Sequence, residues 1–184
     1  MALTFSGAAP QARRRSWGTA AARTFAAAAL LAGLAACDGD RIRALEEGLS
    51  TEADVRAQFG EPDRIWPGPE GTRVFEYDRQ PAGQRNYMIA IGPDGRMAAL
   101  RQVLTPENFA QIVPGMTAEE VRRRLGKPAR TTPYPLKQET VWDWRYLEPP
   151  TTSMVFSVAF GDDGRVRRTG SALDPQSEAQ RAGP

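Results

Sequence analysis

The chain has 184 residues, with 24 Lys and Arg against 22 Asp and Glu, one Cys and no His. The lack of histidine excludes Ser-His-Asp and Cys-His nucleophile systems and histidine metal sites. Arg13, Arg14, Arg15 and Arg23 stand in positions 1–36 without a single acid; the remaining 20 basic residues face 22 acidic ones, a formal −2, and a nucleic-acid binder would need a basic surplus there.

In chain order, "ARRRSW" supplies a positive start and "FAAAALLAGLAA" (Phe25 to Ala36) an apolar stretch. That stretch is shorter than the roughly 20 apolar residues of a membrane span, so residues 1–36 read as an export signal. Cys37 follows at once, and "LAAC" (Leu34 to Cys37) is similar to the lipobox of bacterial lipoproteins. Cys37 is then the lipid-attachment residue, and it leaves no thiol for a disulfide or a thiolate nucleophile. Two or three acyl chains hold a protein firmly to a bilayer, at about 0.8 kcal/mol per buried methylene.

Next, Asp40 to Glu47 carries Ile42 and Leu45 at i,i+3 and reads as a short helix. Gly48 breaks the chain, and Thr51 with Asp54 has the spacing of a capping box. Val55 and Phe59 share one helix face; Gly60 suits a left-handed position after the helix, and Pro62 prevents its resumption. The period then becomes two: Phe75 and Tyr77, then Tyr87, Ile89 and Ile91, are core positions of half-buried strands. Pro93-Asp94-Gly95 is a hairpin signal.

The same order returns. Thr105 to Val113 begins Thr-Pro, a good start for a helix, and carries Phe109, Ile112 and Val113. "GMTAEEVRRRLGKP" (Gly115 to Pro128) repeats "GLSTEADVRAQFGEP" (Gly48 to Pro62), "VWDW" (Val141 to Trp144) repeats "VFEY" (Val74 to Tyr77), and "FGDDGRV" (Phe160 to Val166) repeats "IGPDGRM" (Ile91 to Met97). Three blocks in one order imply an internal duplication. The expected fold is α+β: two tandem α-α-β-β-β units, each a helix pair packed on an antiparallel sheet. The signal covers 1–36, the first unit 37–104, the second 105–172, and a polar, aperiodic disordered tail 173–184. Units of this size are small for independent cores, so they are expected to share buried area, with their sheets side by side.

The pattern Gly115, Met116, Thr117, Val121, Leu125, Gly126, Pro128, then Trp142, Trp144, Phe160, Asp163, Gly164 and Val166, resembles the SmpA/OmlA (BamE) family of small outer-membrane lipoproteins. Gly48, Leu49, Val55, Phe59, Gly60, Pro62, Phe75, Tyr77, Asp94 and Gly95 form a weaker first copy. The resemblance implies a non-enzymatic envelope lipoprotein on the periplasmic face of a membrane. It would serve outer-membrane protein assembly or envelope integrity through barrel-assembly components and anionic phospholipid. Family members usually have one such unit. Asp38, directly after the lipidated cysteine, leaves the inner membrane open beside the favoured outer membrane. The tandem form is also similar to the β-lactamase inhibitor protein architecture, which implies the alternative of an inhibitor or binding protein for a periplasmic enzyme.

The residues themselves offer little chemistry. Asp162-Asp163, Glu46-Glu47 and Glu119-Glu120 read as solvated turn and cap residues, "GDDG" is too short for a calcium loop, and no cofactor is expected. Arg122 to Arg124, with Lys127 and Arg130, are either a solvated helix face or a contact for anionic head groups, with Arg122 and Arg123 as candidates. Trp66 in "IWPGPEG" and Tyr134 in "TTPYPLK" occupy comparable proline-rich stretches and are either core-edge caps or anchors for a partner. The outer sheet face of Met88, Ala90, Ser157 and Ala159 is small and nearly uncharged, a surface for cover by the other unit or by a partner.

Overall fold

A computed structural model describes residues 38–177. The export segment, Cys37 and residues 178–184 of the tail lie outside the described residues. From Arg41 onward the described residues form one compact unit, which contains both copies of the repeated motif.

Helix α1 (Asp38–Arg43) is shorter than expected at its C-terminal end. The reason lies in Glu46 and Glu47: the Glu46 N–H donates to Ser50 Oγ at 2.9 Å, and the Glu47 carboxylate accepts from the Leu100 N–H at 2.8 Å and pairs with Arg101. Helix α2 (Glu52–Phe59) starts on a full capping box. The Asp54 N–H donates to Thr51 Oγ1, and the Thr51 N–H donates to Asp54 Oδ2 at 2.8 Å. Strands β1 (Arg64–Pro67), β2 (Arg73–Asp78), β3 (Asn86–Ile91) and β4 (Met97–Gln102) form an antiparallel sheet in that order.

The second half follows the same sequence of elements. Helix α3 (Pro106–Phe109) is a single turn and not the longer helix expected; Gln111 and Ile112 continue it only through i→i+3 turns to Asn108 and Phe109. Helix α4 (Ala118–Leu125) has its own capping box between Thr117 and Glu120. Strands β5 (Arg130–Tyr134), β6 (Glu139–Glu148), β7 (Thr152–Gly161) and β8 (Val166–Leu173) form a second four-stranded antiparallel sheet. Each sheet therefore has four strands where three were expected. The added strands are β1 and β5, whose Pro67 and Pro133 disguise them. Both are edge strands, where a residue without an N–H is tolerated.

Two positions correct the expected helix ends. Gly60 has φ 83° and ψ −161°, and Gly126 φ 77° and ψ −171°. The chain leaves each helix fully extended with positive φ, a region open essentially to glycine, and not through the left-handed helical position. The carbonyl exposed by each exit is satisfied from the sheet. Tyr77 Oη donates to Gly60 O at 3.0 Å, and Trp144 Nε1 donates to Gly126 O at 3.1 Å.

Each half has its own apolar core. In the first, Val55 and Phe59 pack on Phe75, Tyr77, Tyr87, Ile89 and Ile91. In the second, Val121, Leu125, Phe109 and Ile112 pack on Trp144, Tyr146, Phe156 and Val158, with Phe109 stacked on Phe156 at 4.2 Å between ring centres. Leu173, placed at the start of the tail by the sequence reading, ends β8, and Asp174 beyond it is buried.

A buried polar seam and the candidate contact residues

Alternation places Phe75 and Tyr77 in the first core and turns Glu76 and Asp78 to the opposite face of the first sheet, beside Asn86 of β3. Met88 on this face is buried, as are Glu76 and Asn86, so the face is not uncharged, and of the two covers expected for it the other half supplies one. The C-terminal end of α4 lies over it. The two sheets do not share a strand pair among the described residues; the halves meet helix on sheet and not sheet beside sheet.

Three of the candidate contact residues converge at this seam. Arg122 donates from Nε and Nη2 to Glu76 Oε1, each at 3.0 Å, and Trp66 Nε1 donates to Glu76 Oε2 at 2.7 Å. Arg123 and Arg64 lie 4.6 and 4.7 Å from the Trp66 ring centre. A buried carboxylate is costly unless both oxygens are paired; here a two-pronged guanidinium and an indole N–H serve them. Trp66 is itself buried, at 7% exposure.

The seam continues past the helix end. Asn86 Nδ2 donates to Leu125 O at 2.8 Å and to Lys127 O at 3.1 Å, and the Lys127 N–H donates to Asp78 Oδ1 at 2.9 Å. These bonds satisfy groups that a helix end leaves orphaned. The Gln80 amide pairs with the Arg145 backbone in both directions, at 2.7 and 3.2 Å, and Arg145 reaches Pro81 O and the buried Asp174. Burial, and then Glu76 beside it, pushes the Asp78 carboxyl up to about 8, and Asp78 Oδ2 is buried with no hydrogen-bond partner.

Tyr134 lies elsewhere. It is exposed on β5, followed by the fully exposed Leu136, and Lys137 Nζ stands 5.9 Å from its ring centre. Nor does it match Trp66 in the sheet: Trp66 pairs with Val74, and the residue paired with the corresponding Val141 is Thr132. Sequence reasoning missed Glu76, Asp78 and Asn86, whose only signal was a polar residue at every second position of strands otherwise rich in aromatics.

The outer face of the second sheet carries Asp143 and Arg145, with Pro175 and Gln176 beside them. Asp143, which matches Glu76, is satisfied locally by Arg130 at 2.8 Å and Ser157 Oγ at 2.6 Å. A cavity of about 450 Å³ opens there between Pro81, Arg130, Val155 and Gln176. A larger cleft, about 630 Å³, lies at the other end of the second half over Trp142 and Phe160. Among the described residues no cluster of Cys, Asp and Glu side chains could hold a metal ion, and no helix is long and apolar enough to cross a membrane.

Residues 102–170 match the family model described as "Outer membrane protein assembly factor BamE domain". No curated protein matches the chain. Three solved structures are similar in part. A protein described as the osmotically inducible lipoprotein OsmE is 25% identical, over 44% of this chain and 82% of its own, with a TM-score of 0.33. A DUF4309 family protein (YjgB) from Bacillus subtilis is 24% identical over 71% and 82%, with a TM-score of 0.27. A protein from Streptococcus mutans described as a β-lactamase inhibitor protein is 9% identical over 73% and 94%, with a TM-score of 0.30. None of the three superposes closely enough to carry a conclusion about this chain. The family match falls on α3 through β8, which hold the capped helix α4, the Gly126 exit and Trp144 of the motif, and residues 102–170 are similar to a BamE domain.

Proposed function

We propose that this chain is a membrane-anchored lipoprotein of the bacterial envelope that works as a non-enzymatic protein-interaction module in outer-membrane protein assembly or envelope integrity. The match of residues 102–170 to the BamE assembly-factor domain carries this reading. Acylation of Cys37 tethers the folded part to the periplasmic face of the membrane, the outer one in preference to the inner. The two halves arose by duplication of one unit, a reading supported by the paired caps, glycine exits and strand orders. Within it, Trp66, Arg122 and Arg123 serve the partner indirectly by fixing α4 on the first sheet, whereas Tyr134 and Leu136 offer direct contact. Anionic lipid is a further ligand for the exposed basic side chains.

The test is affinity capture of the tagged, full-length lipoprotein from crosslinked envelopes. Barrel-assembly components in the eluate support the proposal; a single periplasmic enzyme in their place would favour the inhibitor reading. Cys37→Ser should release the protein in soluble, unacylated form, and fractionating the two membranes decides what Asp38 signals.

A further inference from the structure

The two halves treat one aromatic position differently. Phe75 in β2 and Trp142 in β6 hold the same place in their sheets: Phe75 pairs with Ile65 and Ile89, Trp142 with Thr131 and Val158. Phe75 is fully buried. Two guanidinium groups cover it, Arg56 at 5.0 Å and Arg73 at 5.5 Å from the ring centre, and Glu52 pairs with both.

In the second half every member of that cover is missing from its place. Ala118 stands for Glu52 and Thr140 for Arg73, while Arg122, the counterpart of Arg56, turns away to Glu76. What remains is the 630 Å³ cleft, with Trp142 half-buried on its floor beside Phe160 and with Glu139 and Asp162 among its walls. Its volume is that of a ligand site. Glu139 pairs with Arg168, so the wall is not a bare acidic cluster, and among the described residues no arginine or lysine lies over the Trp142 ring as Arg56 and Arg73 lie over Phe75. Indole is the best aromatic surface for a cation, and guanidinium the cation that stacks on it most often.

We propose that this cleft binds the guanidinium group of an arginine side chain presented by a protein partner, over Trp142 and beside Asp162. The partner's arginine thus supplies in trans the cover that Arg56 and Arg73 give Phe75 in cis. This deepens the interaction reading above by naming the chemistry one surface recognises.

The test is a titration of the full chain, in detergent, with the peptide acetyl-Ala-Arg-Ala-amide, following the Trp142 indole N–H by NMR. A second titration uses the same peptide with citrulline for arginine, which keeps the planar shape but lacks the charge and has a carbonyl acceptor in place of one donating NH2. The expected result is a saturable Trp142 shift with the arginine peptide and at least tenfold weaker binding of the citrulline one. Ala118→Glu/Thr140→Arg rebuilds the cover of the first half and should abolish the shift while leaving the circular dichroism spectrum unchanged. Asp162→Asn should weaken binding several-fold. No shift with arginine, equal binding of citrulline, or undiminished binding by the Ala118→Glu/Thr140→Arg protein would each overturn the proposal. No envelope component enters this titration, so its failure leaves the assembly reading standing, and failure to capture barrel-assembly components leaves the cleft standing.

Discussion

Gly60 and Gly126 allow the contribution of the seam to be isolated. Both leave their helix at φ near +80° with extended ψ, and both lie in the same motif. Alanine at either position meets the same backbone penalty, about 1–3 kcal/mol. Their surroundings differ. A Cβ on Gly60 meets nothing within 4 Å, whereas one on Gly126 would come to 2.5 Å from Asp78 Oδ1 and 2.8 Å from Asn86 Nδ2. Gly126→Ala must therefore displace the two side chains that bind Leu125 O, Lys127 O and the Lys127 N–H. At about 1 kcal/mol for each of those bonds, Gly126→Ala should cost roughly 2–3 kcal/mol more than Gly60→Ala. In urea denaturation followed by tryptophan fluorescence and far-UV circular dichroism, a slope of about 2 kcal/mol/M separates the midpoints by about 1–1.5 M. Coincident midpoints for the two variants would refute the idea that the helix end is locked to the first sheet through those side chains.

Arg122→Met leaves Glu76 buried without its ion partner and should destabilise by about 3–5 kcal/mol, whereas Glu76→Met/Arg122→Met should recover much of that loss in the same denaturation assay. Asp78 is raised in the folded state, so folding retains a proton there that the unfolded chain releases. Stability from this group is complete below the ordinary carboxylate range and declines as pH rises toward about 8. Thermal melts between pH 5 and 8 should show a falling midpoint that Asp78→Asn flattens. Thr117→Val removes the acceptor for the Glu120 N–H and should cost about 1 kcal/mol by urea titration. The bond from the Thr117 N–H holds the Glu120 carboxyl below its ordinary value, so the contribution of that contact is lost only as the solution turns acid.

Local chemistry was legible where one residue type has one use. Thr51 and Thr117 could be read as caps because a side-chain oxygen ahead of an acidic first turn has little else to do. Gly60 and Gly126 could be read as exits, although their ψ values depend on where the following strand lies and are not written in the helix. The strands carrying Phe75 and Trp142 showed their period of two, whereas β1 and β5 did not, because an edge strand tolerates the prolines that elsewhere break pairing. The seam was hidden for a different reason. Glu76 and Arg122 are 46 residues apart, and each has an ordinary local role, a strand's outer residue and a helix's basic face. Only the packing of α4 against the first sheet makes them partners. Trp66 could be read as a core-edge cap or as an anchor because buried and exposed indoles are identical in sequence, and Arg123 from the other half lies over its ring.

The join between the halves is short and firmly seated. Val103 and Leu104 are buried, the Val103 N–H donates to Asn86 O at 2.9 Å, and Asn108 Nδ2 donates to Val103 O at 3.0 Å. Such a joint gives a protease no slack strand to grasp and offers no pivot about which one half could swing. A pull on either half of this protein would therefore pass straight to the other, as through a rigid lever and not through a leash.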